Sequence, residues 1–190
     1  MRKKVGITLV IIGLCPILFA IGLLLYNNFE NKRAQEQSNA VVNALMDFKT
    51  SGEIDPFDTE MKVVDIDGYG YIGYLTIPQL DLHLPVMSQW DYTRLQVAPC
   101  RYYGSTKTGN LVICAHNYKS HFGYIGNLTI DSAISFTDME GATKNYRVTA
   151  VEILQPSQTK DVKDTGDDLI LYTCTYGGRT RVVVRCENID

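Results

Sequence analysis

The stretch DLILYTCTYGGRTRVVVRC, Asp168 to Cys186, sets two apolar, β-branched runs on either side of the six-residue connection Thr175-Tyr176-Gly177-Gly178-Arg179-Thr180. Gly177 and Gly178 can take the positive φ that a tight reversal needs, so the segment predicts an antiparallel hairpin. Side chains alternate along a strand, which groups Ile170, Tyr172 and Cys174 on one face and Leu171 and Thr173 on the other. In the second run Arg181, Val183 and Arg185 share a face, apart from Val182, Val184 and Cys186. The hairpin therefore places a thiol, Cys174, beside a guanidinium, Arg181, at its turn end. A neighbouring guanidinium favours the thiolate and can also donate to an oxyanion.

Outward from this hairpin the pattern repeats. Short β-rich runs follow one another from Ile72: IGYLTIP, LDLHLPVM, NLVICAHN, AISFTDM, NYRVTAVEIL, DLILYTC and TRVVVRC, with Gly, Pro, Asn and Asp between them. Close spacing without alternating helices predicts a mainly β barrel or sandwich of seven or eight strands over 72–190. HFGYIGNL reads as a short helical or turn insert. Before this domain lie two further regions. Asn27 to Thr50 is rich in helix formers, with Ala40, Val41, Ala44, Leu45 and Phe48 at helical spacing, and predicts a juxtamembrane helix that packs on the domain or serves as a stalk. The acidic stretch after Gly52 has turn formers but no period, so 27–71 as a whole reads as helix followed by a linker or arm.

Val5 to Tyr26 is an uncharged run of 22 residues, enough at about 1.5 Å per residue to cross a bilayer core of roughly 30 Å. It is too long for a signal-peptide core of about 7–15 residues and no small-residue cleavage site closes it, so an uncleaved anchor is expected. Arg2, Lys3 and Lys4 hold the tail, 1–4, in the cytoplasm and export the remainder. Cys15, inside the run, is read as a small apolar filler. Past the anchor 15 of the 18 basic residues face 21 acidic ones, a formal charge of −6. That balance argues against nucleic acid or anionic lipid headgroups as partners.

A nucleophilic thiol needs a proton partner, and the exported part holds His83, His116 and His121. His116 ends the run NLVICAHN where a strand gives way to a polar loop, the place where reactive side chains emerge from a rigid sheet. His83 lies within a strand pattern, and His121, in the following loop, is the weaker alternative. Cys174, His116 and Arg181 form the candidate trio, with Arg185 as runner-up to Arg181 and Arg179 as a solvated turn charge. Two other readings use the same residues. Cys114, His116 and Cys174 could supply a zinc-like ligand set. A disulfide between Cys174 and Cys186 would instead make the domain a non-catalytic module. A working Cys174 leaves room for at most one bridge among Cys100, Cys114 and Cys186.

LYTC followed by an arginine-led strand, with ICAHN upstream and IGYLTIPQLDLHLPV opening the domain, resembles the sortase family of Gram-positive cysteine transpeptidases over Ile72 to Glu187. The family signature T-L-x-T-C reads here Ile170-Leu171-Tyr172-Thr173-Cys174, with isoleucine in place of the first threonine. The resemblance implies a closed eight-stranded β-barrel with short helices. It implies Cys174 as nucleophile, His116 as general acid/base, Arg181 as stabiliser and Thr173 at the substrate. The implied reaction cuts an LPxTG-like sorting signal through a thioacyl-enzyme and passes the acyl group to an amine of a cell-wall precursor or a pilin lysine. A hydrolytic cysteine peptidase is the competing outcome at the same site. The expected location is the plasma membrane, single-pass, with the catalytic domain outside.

Asp55-Pro56-Phe57 is similar to the lid motif of pilus-building sortases, and equally to an ordinary Asp-Pro turn. The short connection from Leu154 to Asp168 favours a housekeeping-like or class D-like enzyme over the class B type. Asp161, Asp164, Asp167 and Asp168 offer oxygen ligands of the kind calcium prefers, without an EF-hand spacing; no cofactor is the default expectation.

Overall fold

The computed structural model describes residues 2–47, 59–163 and 165–190. The lid-like Asp55-Pro56-Phe57 lies outside them, as do Phe48 and Asp164. The chain forms two units, 1–33 and 34–190. A single helix, α1, runs Arg2–Asp47 with Pro16 inside it, where two separate helices were expected. In the first unit Leu14, Leu18, Phe19 and Leu24 are exposed, and the helix is long and apolar enough to cross a membrane.

In the second unit the end of α1 buries Ala34, Ser38, Val42 and Leu45. This stripe is rotated from the expected one: Ala40 and Ala44 are exposed, while Val41 and Leu45 pack in a cluster with Val64, Met87, Cys100 and Cys114. This part of the helix packs on the domain and is not a free stalk. Positions 34, 38, 42 and 45 follow the i, i+4 and i, i+3 rows of a single face, and Ser38 inside it broke the apolar signal.

Nine strands follow: β1 Val64–Ile66, β2 Tyr69–Ile77, β3 Leu82–Met87, β4 Cys100–Tyr103, β5 Leu111–Ala115, β6 Ala133–Asp138, β7 Thr143–Leu154, β8 Leu169–Cys174 and β9 Arg181–Asn188. Their order is β1-β2-β3-β4-β5-β8-β9-β7-β6, and β2 also pairs with β6. That extra pairing closes β2 to β9 into an eight-stranded barrel, with β1 added as a hairpin on β2. The sheet thus starts before Ile72. Asp67 (φ 53°) and Gly68 (φ 81°) make the two-residue turn between β1 and β2, and Gly68 N–H donates to the Asp65 carboxylate at 3.0 Å. β4 and a short helix, α2 (Tyr92–Leu95), were not foreseen; Asp91 caps α2 by accepting from Arg94 N–H at 2.7 Å.

The barrel interior holds Ile72, Leu75, Ile113, Phe136, Leu171 and Val184, all fully buried. Alternation then sends Val112, Cys114, Ile170, Tyr172 and Val183 to the outer face of β5, β8 and β9. Most neighbours in the barrel are antiparallel. Two contacts are parallel, β3 with β4 and β5 with β8. The second one decides where the site forms.

Candidate active site

Parallel strands end at the same edge of a sheet. β5 and β8 pair from Leu111↔Leu169 to Ala115↔Thr173, so the chain leaves β5 at His116 and β8 at Cys174 side by side. The residues on both sides of this pair are tied together. Thr173 Oγ1 donates to the Ala115 carbonyl at 2.8 Å, and Asn117 Nδ2 donates to the Thr175 carbonyl at 3.5 Å. On the other flank the antiparallel ladder of β8 and β9 sets Cys174 directly opposite Arg181. Cys174 is half-buried and lies on the outer face with Tyr172 and Val183. The three residues of the candidate trio thus meet at one rim of the barrel.

The hairpin turn is braced by its own hydrogen bonds. Thr175 N–H donates to the Thr180 carbonyl at 3.0 Å, Thr180 N–H donates to Thr175 Oγ1 at 3.1 Å, and Gly177 (φ 80°) and Gly178 (φ 71°) take the left-handed backbone. Arg181 Nη1 donates to the Gly178 and Thr180 carbonyls, each at 3.0 Å, and no carboxylate among the described residues pairs with it. Arg185 differs. Its Nε donates to Glu152 at 2.9 Å and its Nη1 to Asp167 at 2.7 Å, with Ile170 as its partner across the ladder. Its charge is spent on binding β7 and the segment before β8, away from Cys174. Arg179 is exposed.

Thr173, expected at the substrate, faces the other way. It is buried, and its hydroxyl is committed to the Ala115 carbonyl on the side of the sheet opposite Cys174. The parity of the strand places it on this face, whereas the resemblance implies a substrate contact.

The His116 loop is a compact fold of its own. Phe122 N–H donates to the His116 carbonyl at 3.1 Å, while His121 and Gly123 N–H both donate to the Tyr118 carbonyl, at 3.0 and 2.8 Å. A Cβ on Gly123 would sit 2.7 Å from the Asn117 and Tyr118 carbonyl oxygens, so this closure needs glycine. The His116 ring stacks on Tyr118 with centroids 4.9 Å apart and 27° between planes. Burial lowers the His116 pKa below the ordinary imidazole value. His83, as expected of a strand histidine, is held by Thr76 through Oγ1···Nδ1 at 2.7 Å and is not near the trio's strands.

The remaining thiols do not compete with Cys174. All five cysteines are free. Cys186 lies in the barrel interior opposite Leu169, at the far end of the hairpin and on the other face from Cys174, so a bridge between the two is ruled out. Cys100 and Cys114 are cross-strand partners, both buried, and Cys114 Sγ donates to the Cys100 carbonyl at 3.5 Å. Burial pushes the Cys114 pKa up to about 12, and raises Cys100 and Cys186 as well. These thiols stay protonated and unreactive. Cys114 is thus turned into packing, and Cys114, His116 and Cys174 do not come together as a metal-ligand group among the described residues. Of the four candidate calcium ligands, Asp167 is paired with Arg185 and Asp168 accepts from Asn188 N–H at 2.7 Å. The Asp161 side chain and Asp164 lie outside the described residues.

A family model, described as a Sortase domain, matches residues 75–189. Among solved structures, the Sortase D5 transpeptidase of Clostridium perfringens superposes with a TM-score of 0.65 at 18% identity, covering 82% of this chain and 99% of that one. Sortase C of Streptococcus pneumoniae gives 0.60 at 22% identity over 85% and 88% of the two chains. Sortase A of Corynebacterium diphtheriae gives 0.57 at 20% over 84% of each. No curated protein matches the chain.

Proposed function

The chain belongs to the sortase family, and from that premise we propose that it is a membrane-anchored cysteine transpeptidase acting on an LPxTG-like sorting signal, with Cys174, His116 and Arg181 as its catalytic residues. What supports the reading is that the residues flanking His116 are bonded to those flanking Cys174 while Arg181 faces Cys174 across the ladder. Neutral His116, favoured by its burial, takes the Cys174 proton, and the thiolate attacks the carbonyl carbon of the scissile peptide bond. The oxyanion that forms meets the Arg181 guanidinium, whose Nε and Nη2 are uncommitted among the described residues. As the tetrahedral species collapses the C–N bond breaks, the His116 imidazolium gives its proton to the leaving amine, and a thioester to Cys174 remains. An acceptor amine, losing its proton to His116, then forms a new amide and releases Cys174. The α1 helix would hold the domain at the outer membrane face, where cell-wall precursors or pilin lysines supply the amine.

The test is incubation of the full-length chain in detergent with LPxTG-like peptides and amines, comparing the parent with Cys174→Ala. Amide-linked product from the parent and none from the variant is expected; equal product from both refutes the role of Cys174.

A further inference from the structure

His121 has no part in the chemistry just described, and its surroundings are unusual. It is fully buried, and neither ring nitrogen has a hydrogen-bond partner among the described residues. A buried imidazole normally bonds at least one nitrogen. Burial, reinforced by the nearby His116, pushes its pKa down to about 4, so the ring is neutral at physiological pH. Neither nitrogen bonds another described residue, and what the position presents to its neighbours is a flat, neutral ring.

That ring has a definite neighbour. Tyr118 contacts both histidines: its ring stacks on His116, and its centroid lies 5.5 Å from that of His121 at 48° between planes. The backbone of the same loop is closed on itself by the Phe122 N–H to His116 carbonyl bond and by the two bonds into the Tyr118 carbonyl, with Phe122 and Ile125 anchored in the barrel core. The main chain of His116 is therefore clamped. Its side chain is not: no hydrogen bond from the described residues reaches either of its ring nitrogens, and no carboxylate orients it as in a Cys-His-Asp arrangement. The Tyr118 face is the aromatic contact of the imidazole among the described residues, and it also offers its π face to the imidazolium once it forms.

We propose that His121 is a positioning residue for His116: a buried neutral plate that backs Tyr118 and so holds the His116 imidazole at the edge facing Cys174. The inference rests on the assignment of His116 to proton transfer, but its first readout does not. Removing the plate lets Tyr118 fall back into the space and frees the His116 ring to rotate, which misplaces the proton without touching peptide binding.

The test uses the full-length chain in detergent with isotope-labelled histidine, reading the His116 ring resonances alongside peptide transfer. In His121→Ala, the His116 resonance should shift and broaden, and kcat should fall about tenfold or more, since an ångström-scale misplacement is enough for that, while KM stays unchanged. His121→Phe, which restores a ring without nitrogens, should recover the resonance and most of kcat. Tyr118→Leu should reproduce the loss and Tyr118→Phe should not, and this pair decides the matter if His121→Ala does not fold. An unchanged His116 resonance and kcat in both His121→Ala and Tyr118→Leu overturns the proposal, and so does a loss of kcat that only follows the loss of folded protein. Were the parent to lack transferase activity, the function above would fall, while the resonance would still decide whether His121 positions His116.

Discussion

Arg181 and Arg185 lie on the same face of one strand, and their substitution should separate activity from stability. Arg185→Met removes ion pairs to Glu152 and Asp167 from a side chain that is 16% exposed, leaving Asp167, itself only 20% exposed, without its counter-charge. Breaking a buried pair costs about 3–5 kcal/mol and an exposed one under about 1, so a half-buried site should lose roughly 1–3 kcal/mol. A domain of this size loses about 2–4 °C of Tm per kcal/mol, which gives a fall of roughly 2–12 °C. Transfer activity of the folded protein should be close to that of the parent. Arg181→Met loses two bonds to turn carbonyls, one exposed and one part-buried, and no ion pair among the described residues. Its stability should stay within about 0.5 kcal/mol of the parent, while kcat drops by about 10²–10³, the usual loss when one oxyanion donor is removed. The assay is thermal unfolding of the full chain in detergent beside steady-state transfer from an LPxTG-like peptide to an amine. Turnover abolished by Arg185→Met with Tm unchanged, together with an active Arg181→Met, would refute both assignments.

Thr173→Val should lower Tm by a few degrees, because a buried carbonyl loses its donor at about 1–3 kcal/mol, and should leave the peptide KM unchanged; a raised KM at constant Tm would put the hydroxyl on the substrate instead. Alkylation of the native protein at neutral pH should modify Cys174 alone among the four domain thiols, with Cys100, Cys114 and Cys186 reacting only after unfolding; peptide mass mapping reads this. Stability should decline with acid through His121: below about pH 6.5 the unfolded chain takes up a proton that the folded chain, with a pKa of about 4, refuses. At about 1.36 kcal/mol per unit the loss between pH 6.5 and 4 is roughly 3 kcal/mol, measured by denaturant titration, and most of it should disappear in His121→Phe. A matching slope in that variant would assign the acid sensitivity to other groups. His116 faces the same loop and its depressed pKa has the same sign, so His121→Phe should keep a smaller residual slope in this range.

Local patterns were legible and long-range ones were not. The hairpin from Asp168 to Cys186 declared its strands, its turn and its facing pair Cys174 and Arg181 through period-two alternation and two glycines. Asp67-Gly68 carried an equally good hairpin signal, but the charged residues around it hid strands of which β1 spans only Val64–Ile66. β4, Cys100–Tyr103, is short and meets β3 at the single pair Met87↔Cys100, so no periodicity could build up to show it. The stripe at the end of α1 was misplaced because alanine fits either face of a helix and Ser38 is buried. Parity separated Arg181 from Cys186 and Thr173 from Cys174 correctly. It could not rank Arg181 over Arg185, since what distinguishes them is the presence of Glu152 and Asp167, brought in by other segments.

The two halves of the site differ in the same way. Cys174 and Arg181 are neighbours by hairpin geometry, a contact any turn of this length would make. Cys174 and His116 are neighbours only because β5 and β8 lie parallel, a contact that the chain reaches after passing through β6 and β7. A slip of one residue in that register would turn Cys174 to the barrel interior and Thr173 to the rim. Five consecutive pairs and the Thr173 hydroxyl fix it, the latter by bonding the carbonyl of the residue just before His116. Thr173 thus acts on the site from the face opposite the thiol. In this structure the hydroxyl of the threonine preceding the cysteine serves the strand register.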